Sequence, residues 1–94
     1  IQGAALALSV AGVTGTKLIG VGGSEAAIAG IKNGSWFGDV FGAPAGEGRL
    51  ALTELISGIR NGTTAGGIDT ASTLPEGGLV TSNNVNEFTA EWTG

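Results

Sequence analysis

Lys17 to Pro44 read KLIGVGGSEAAIAGIKNGSWFGDVFGAP, and the order of apolar runs and helical spacing in this stretch decides the fold. Leu18, Ile19 and Val21, set between glycine-containing flanks, predict a short buried strand over 17–21. Ser24 stands where a helix cap belongs, and Ala27, Ile28 and Ile31 recur on one face of the helix it opens. Asn33-Gly34 ends that helix in the left-handed conformation these residues tolerate. Trp36 to Phe41, dense in aromatic and β-branched residues, predicts a second strand.

The pattern continues outward in both directions. Upstream, Ala4, Ala5, Leu8 and Ala11 keep helical spacing and Gly12 supplies a stop. Downstream, Pro44 pre-sets a third helix in which Leu52, Leu55, Ile56 and Ile59 fall at i, i+3, i+4 and i+7. Glu47 in its first turn and Arg60 in its last complement the helix dipole. After Asn61-Gly62 comes a loop rich in Gly, Thr and Ala, an extended segment over 68–73, and a turn at Pro75 and Gly77-Gly78. Leu79 to Thr81 predict a third strand. Asn84 and Glu87 have capping-box spacing, and Val85, Phe88 and Trp92 give a closing helix its apolar side. Alternating helices and strands predict an α/β fold, a parallel sheet with flanking helices joined by crossovers.

Bulk properties narrow the function classes. The 94 residues carry 4 basic and 8 acidic side chains, for a net charge of −4. Lys17, Lys32, Arg49 and Arg60 are scattered, so there is no electrostatic footprint for nucleic acid. Cysteine is absent, which removes disulfides, thiolate nucleophiles and thiolate metal sites. No apolar run approaches the roughly 18–20 residues of a bilayer span. The 19 glycines punctuate apolar segments instead of forming a polar tract, so the chain is expected to be ordered. The opening at Ile1, in the middle of a helical pattern, fits a portion of a longer protein.

Few residues offer chemistry. Gly20-Val-Gly-Gly-Ser-Glu follows a strand and opens a helix, but a dinucleotide loop needs glycine where Glu25 stands, so a plain strand-to-helix turn is the reading. Ser24 and Ser35 have no histidine to act as base and no nucleophile elbow, and read as capping and turn residues. Glu25, Glu47, Glu76, Glu87 and Glu91 are expected in solvent. Asp39 interrupts an apolar strand and points either at a partner in the cleft or at the sheet's edge, of which the edge is favoured. Trp36 and Phe37 are expected in the core, whereas Phe41, next to Gly42 to Pro44, is the aromatic best placed to stack on a ligand. Asn33-Gly-Ser35 and Asn61-Gly-Thr63 match the glycosylation pattern, but Asn-Gly is also the expected helix terminator at both places. No catalytic constellation, metal site or cofactor site emerges, and an enzyme is not expected.

Ile19-Gly-Val-Gly-Gly, then SEAAIAGIKNG (24–34), WFGDVFGAP (36–44), the helix through Leu50-Ala-Leu to Arg60-Asn-Gly, Ile68-Asp-Thr and finally Leu79-Val-Thr-Ser-Asn-Asn-Val-Asn-Glu-Phe form an ordered series. In order and spacing, over nearly the whole chain, it resembles the C-terminal portion of periplasmic sugar-binding proteins of the ribose-binding type. The resemblance implies part of a two-lobed, type I periplasmic-binding-protein-like fold, with a sugar or polyol in the cleft between lobes. It places 1–41 in the C-terminal lobe, 42–67 in a hinge crossing and a helix of the other lobe, and 68–94 back in the C-terminal lobe. The implied partners are the remainder of the parent chain and an ABC permease at the membrane, in a periplasmic or extracellular setting, with no cofactor.

The same resemblance puts Gly22 and Gly42 at ligand-contact positions, and Phe41, beside the hinge, is the third expected ligand contact. The family usually carries an aspartate at the position of Gly22 and a polar hinge residue, often glutamine, at that of Gly42. Both sugar-binding side chains are therefore replaced by glycine, which leaves backbone groups to serve in close approach. The alternative is the effector-binding domain of a lac-repressor-like regulator, which shares the two-lobed fold. Gly22-Gly23 and the Lys32-Asn-Gly turn fit the transport branch better.

Overall fold

The computed structural model describes residues 1–63 and 66–94. It has three α-helices, α1 (Gln2–Val10), α2 (Glu25–Lys32) and α3 (Pro44–Asn61), and three strands, β1 (Ile19–Val21), β2 (Gly38–Val40) and β3 (Leu79–Thr81). This is an α/β arrangement, built around the quoted stretch. The sheet order is β1-β2-β3. β1 and β2 run parallel, with Gly20 opposite Asp39.

The all-parallel expectation is corrected at β3, which pairs antiparallel with β2. A parallel return requires a crossover element packed on the sheet, and α3 buries no residue at all. Instead the chain re-enters through 3₁₀ turns at Thr70–Thr73 and Pro75–Gly78. The Phe41 N–H donates to the Gly78 carbonyl at 2.8 Å, setting the end of β2 beside the start of β3.

α2 forms as its sequence dictates. The Ser24 hydroxyl accepts from the Ala27 N–H at 3.2 Å, Glu25 lies in the first turn and Lys32 in the last. Asn33 stays right-handed and Gly34 takes the positive φ of 82° that closes the helix. Its Ala27, Ile28 and Ile31 meet Trp36, Phe41, Val80, Val85 and Phe88 in one small core, with the Phe41 and Phe88 rings 5.0 Å apart.

Several expectations about single elements are revised. Phe37 is outside the core, 49 % exposed, with the Lys17 ammonium 4.4 Å from its ring centre. Asp39 is not at an edge but in the central strand, 1 % exposed. The extended segment over 68–73 is partly a 3₁₀ turn, capped by the Asp69 carboxylate accepting from the Ala71 N–H. The closing helix is only a 3₁₀ turn, Val85–Glu87. Its intended cap, Asn84, is committed backwards, accepting from the Thr81 N–H and donating to the Leu79 carbonyl, both at 2.8 Å. With that side chain spent on β3, no capping box forms. Thr64 and Ala65, in the loop expected after Asn61-Gly62, lie outside the described residues.

Among the described residues, only one face of the sheet is covered. Ile19, Val21, Val40 and Leu79 point to the other and stay between 45 and 82 % exposed. Neither α1 nor α3 buries a residue. The described residues span 59 × 24 × 19 Å with a radius of gyration of 16.7 Å, against about 12–13 Å for a compact chain of this length.

Candidate functional site: the turn after the first strand

The carboxyl ends of β1 and β2 meet at Gly22-Gly23 and Gly42, the edge at which parallel α/β sheets bind ligands. An ideal Cβ on Gly42 would lie 3.1 Å from the Gly22 carbonyl oxygen, so two of the expected ligand positions are brought into backbone contact. Any side chain at 42 would push the turn away.

The Gly22-Gly23 turn is fastened from three sides. Gly22 adopts φ 128° and Gly23 φ 67°, conformations that glycine alone holds without strain. The Gly22 N–H donates to the Val40 carbonyl at 2.8 Å. The Gly23 N–H donates to Asp39 Oδ2 at 2.6 Å, and the Gly22 carbonyl accepts from Trp92 Nε1 at 2.7 Å. Both amides of the turn are thus used internally, and the expectation that Gly22 offers backbone donors to a ligand does not fit this arrangement. The direction in which a Gly22 side chain would project holds the Trp92 ring, whose Cζ2 would lie 3.0 Å from that Cβ.

Phe41, expected at the ligand, is 8 % exposed against Phe88. It also fills the space a Gly23 side chain would need. Its ring has no open face here, because the Phe41 N–H bond to Gly78 turns the end of β2 into the core.

Asp39 is the residue whose environment is unusual. Burial pushes its carboxyl up from the ordinary 3.8, opposed by the Gly23 hydrogen bond. Gly20, directly across on β1, is what admits it: a Cβ there would collide with Oδ1. Oδ1 accepts no hydrogen bond among the described residues, yet no sealed side-chain oxygen is left without a partner. Asp39 borders, with Gln2, Val21, Ser24, Trp36 and Trp92, a cavity of about 360 Å³.

Glu91 and Trp92 join this site to α3 and α2. Glu91 Oε2 accepts from the Ala45 and Gly46 N–H groups at 2.6 and 3.2 Å, and the Glu25 N–H donates to the Trp92 carbonyl at 3.1 Å. Sequence reasoning missed both residues. An acidic and an aromatic residue near a chain end carry no periodic signal, and their partners are 45 or more residues away. Asp39 did carry a signal, a lone charge in an apolar strand facing a glycine.

The serines behave as caps and turns: Ser24 is spent on Ala27, and the Ser35 hydroxyl donates to the Gly30 carbonyl at 3.3 Å. Among the described residues no cluster of His, Cys, Asp or Glu is arranged to hold a metal ion, and no helix is long and apolar enough to cross a membrane. No family model, no curated protein and no solved structure matches the chain.

Proposed function

We propose that the chain supplies one sheet wall and the hinge crossing of a two-lobed receptor that binds a sugar or polyol and delivers it to an ABC-type importer outside the cytoplasm. The observation that carries this reading is the course of the chain after β2. It leaves the central strand through Gly42-Ala43 and enters an 18-residue helix that buries nothing. That helix holds Leu52, Leu55, Ile56 and Ile59 at 58, 60, 40 and 74 % exposure. A long amphipathic helix with its apolar stripe in water is expected where a neighbouring layer covers it. The uncovered face of the sheet supports the same reading, since β1 and β2 pair in parallel and parallel strands are normally covered on both faces.

The physical logic is a population shift: contacts that the sugar makes only in the closed form bias the lobes toward closure. The test is a thermal-shift screen of pentoses, hexoses and polyols on the full-length protein. Stabilisation through linkage is expected, about 2.7 kcal/mol at a hundredfold excess over Kd. No shift with any sugar, alongside a shift with a nucleotide, overturns the proposal. An effector domain of a regulator would respond to sugar equally, but binding of the loaded protein to a DNA fragment instead of to permease-containing membranes separates the two.

A further inference from the structure

Three places lie outside the ligand contacts that the resemblance assigns: the apolar stripe of α3, the uncovered sheet face and the cavity beside Asp39. The first two are explained by the two-lobed reading. The third is a built polar site with an unused acceptor.

Asp39 is 1 % exposed, and one of its oxygens is fixed by the Gly23 N–H at 2.6 Å. The other oxygen, Oδ1, is lodged over Gly20, and Asp39 borders the cavity. Trp92 borders the same cavity, 43 % exposed, its indole N–H tied to the Gly22 carbonyl at 2.7 Å so that the ring is held while part of its surface stays open. Gln2, Val21, Ser24 and Trp36 also border it. The cavity's volume of about 360 Å³ falls within the roughly 300–1,000 Å³ usual for small-molecule sites.

An indole surface and a fixed carboxylate acceptor on one cavity are complementary to a molecule that carries both an apolar C–H face and hydroxyl donors. We infer that Asp39 and Trp92 form the sugar subsite of this wall, Asp39 Oδ1 accepting from a ring hydroxyl while the sugar's C–H face packs on the Trp92 indole. This assignment rests on the receptor reading and moves its contacts from Gly22, Phe41 and Gly42 to Asp39 and Trp92, which both border the cavity. The glycines keep a different role: Gly20 admits the carboxylate, and Gly22 admits the indole.

The test is a titration of the ¹⁵N-labelled full-length protein with D-ribose, D-xylose, D-glucose and, as a cationic probe, ethanolamine. The expected result is a sugar-dependent shift of the Gly23 amide and Trp92 indole resonances. Asp39→Asn retains an oxygen for the Gly23 N–H but presents an amide to the cavity, and is expected to weaken sugar binding about tenfold or more. Trp92→Phe keeps a ring but loses its tether, and is expected to weaken binding while leaving the Gly23 amide in its folded position. Unchanged sugar affinity in both variants overturns the subsite and leaves the receptor standing. Binding of ethanolamine in place of the sugars overturns the neutral polyhydroxy ligand. If no sugar binds the unaltered protein, the receptor reading fails and the subsite with it.

Discussion

Gly30 and Trp36 are fitted to one another at the resolution of a single methyl group. A Cβ on Gly30 would lie 2.8 Å from Cδ1 and Cγ of the Trp36 indole. Replacing a helical glycine with alanine normally gains about 0.5–1 kcal/mol, while forcing a methyl into a filled core costs about 1–3 kcal/mol. Overpacking wins, so Gly30→Ala is expected to lower stability, read as an earlier urea midpoint with a red-shifted Trp36 emission in a Trp92→Phe background. Asp39 makes a second statement at this scale. Its folded carboxyl titrates above the ordinary 3.8 because burial disfavours the charge. The folded state therefore holds more protons than the unfolded one between those values. Asp39's contribution is fully present below 3.8 and is lost as pH rises through the raised value. Denaturation midpoints of the wild type, subtracted from those of Asp39→Asn across mildly acidic pH, should show that slope; a flat difference contradicts it.

Among the elements, α3 is held at its start. Ala43 offers no side-chain cap, Pro44 removes one unpaired donor, and the Glu91 carboxylate takes the next two amides, those of Ala45 and Gly46. An acceptor with negative charge at a helix N-terminus stabilises by about 0.3–1 kcal/mol when exposed to water. Glu91→Ala is expected to cost about that much and to speed hydrogen exchange at Ala45 and Gly46, with Glu91→Gln falling between. Exchange unchanged at those amides would show that Glu91 does not fasten the helix. β3 shows the opposite dependence. Its short ladder with β2 is secured by Asn84, whose side chain bonds both Thr81 and Leu79, which is why Asn84 cannot also start a helix.

For the molecule as a whole, the notable property is how much apolar surface has no cover. The outer sheet face and the stripe of α3 are both open, and α3 adds length without adding core. The two-lobed proposal makes Leu55 decisive. In the chain as it stands, Leu55→Asp touches nothing buried and should change stability by no more than about 0.5 kcal/mol. If a second lobe packs on that stripe, as the proposal has it, the same substitution in the two-lobed protein should cost about 2–4 kcal/mol. Equal and negligible effects in both would remove the second lobe from the picture.

Local chemistry determined the elements in the sequence alone. Serine and proline begin helices, glycine ends them, and Ala27, Ile28 and Ile31 recur with the period of a buried helix face, so α2, α3 and the positions of the three strands were legible residue by residue. The direction of β3 was not legible, because Leu79 to Thr81 have the same side-chain alternation in either direction. Only the Phe41 to Gly78 contact, 37 residues apart in sequence, decides it. The site was legible only in its glycines and in the oddness of Asp39. The tether from Trp92 to Gly22 spans 70 residues, and no local rule relates side chains that distant; folding the chain back over the turn is what brought carboxylate and indole to one cavity.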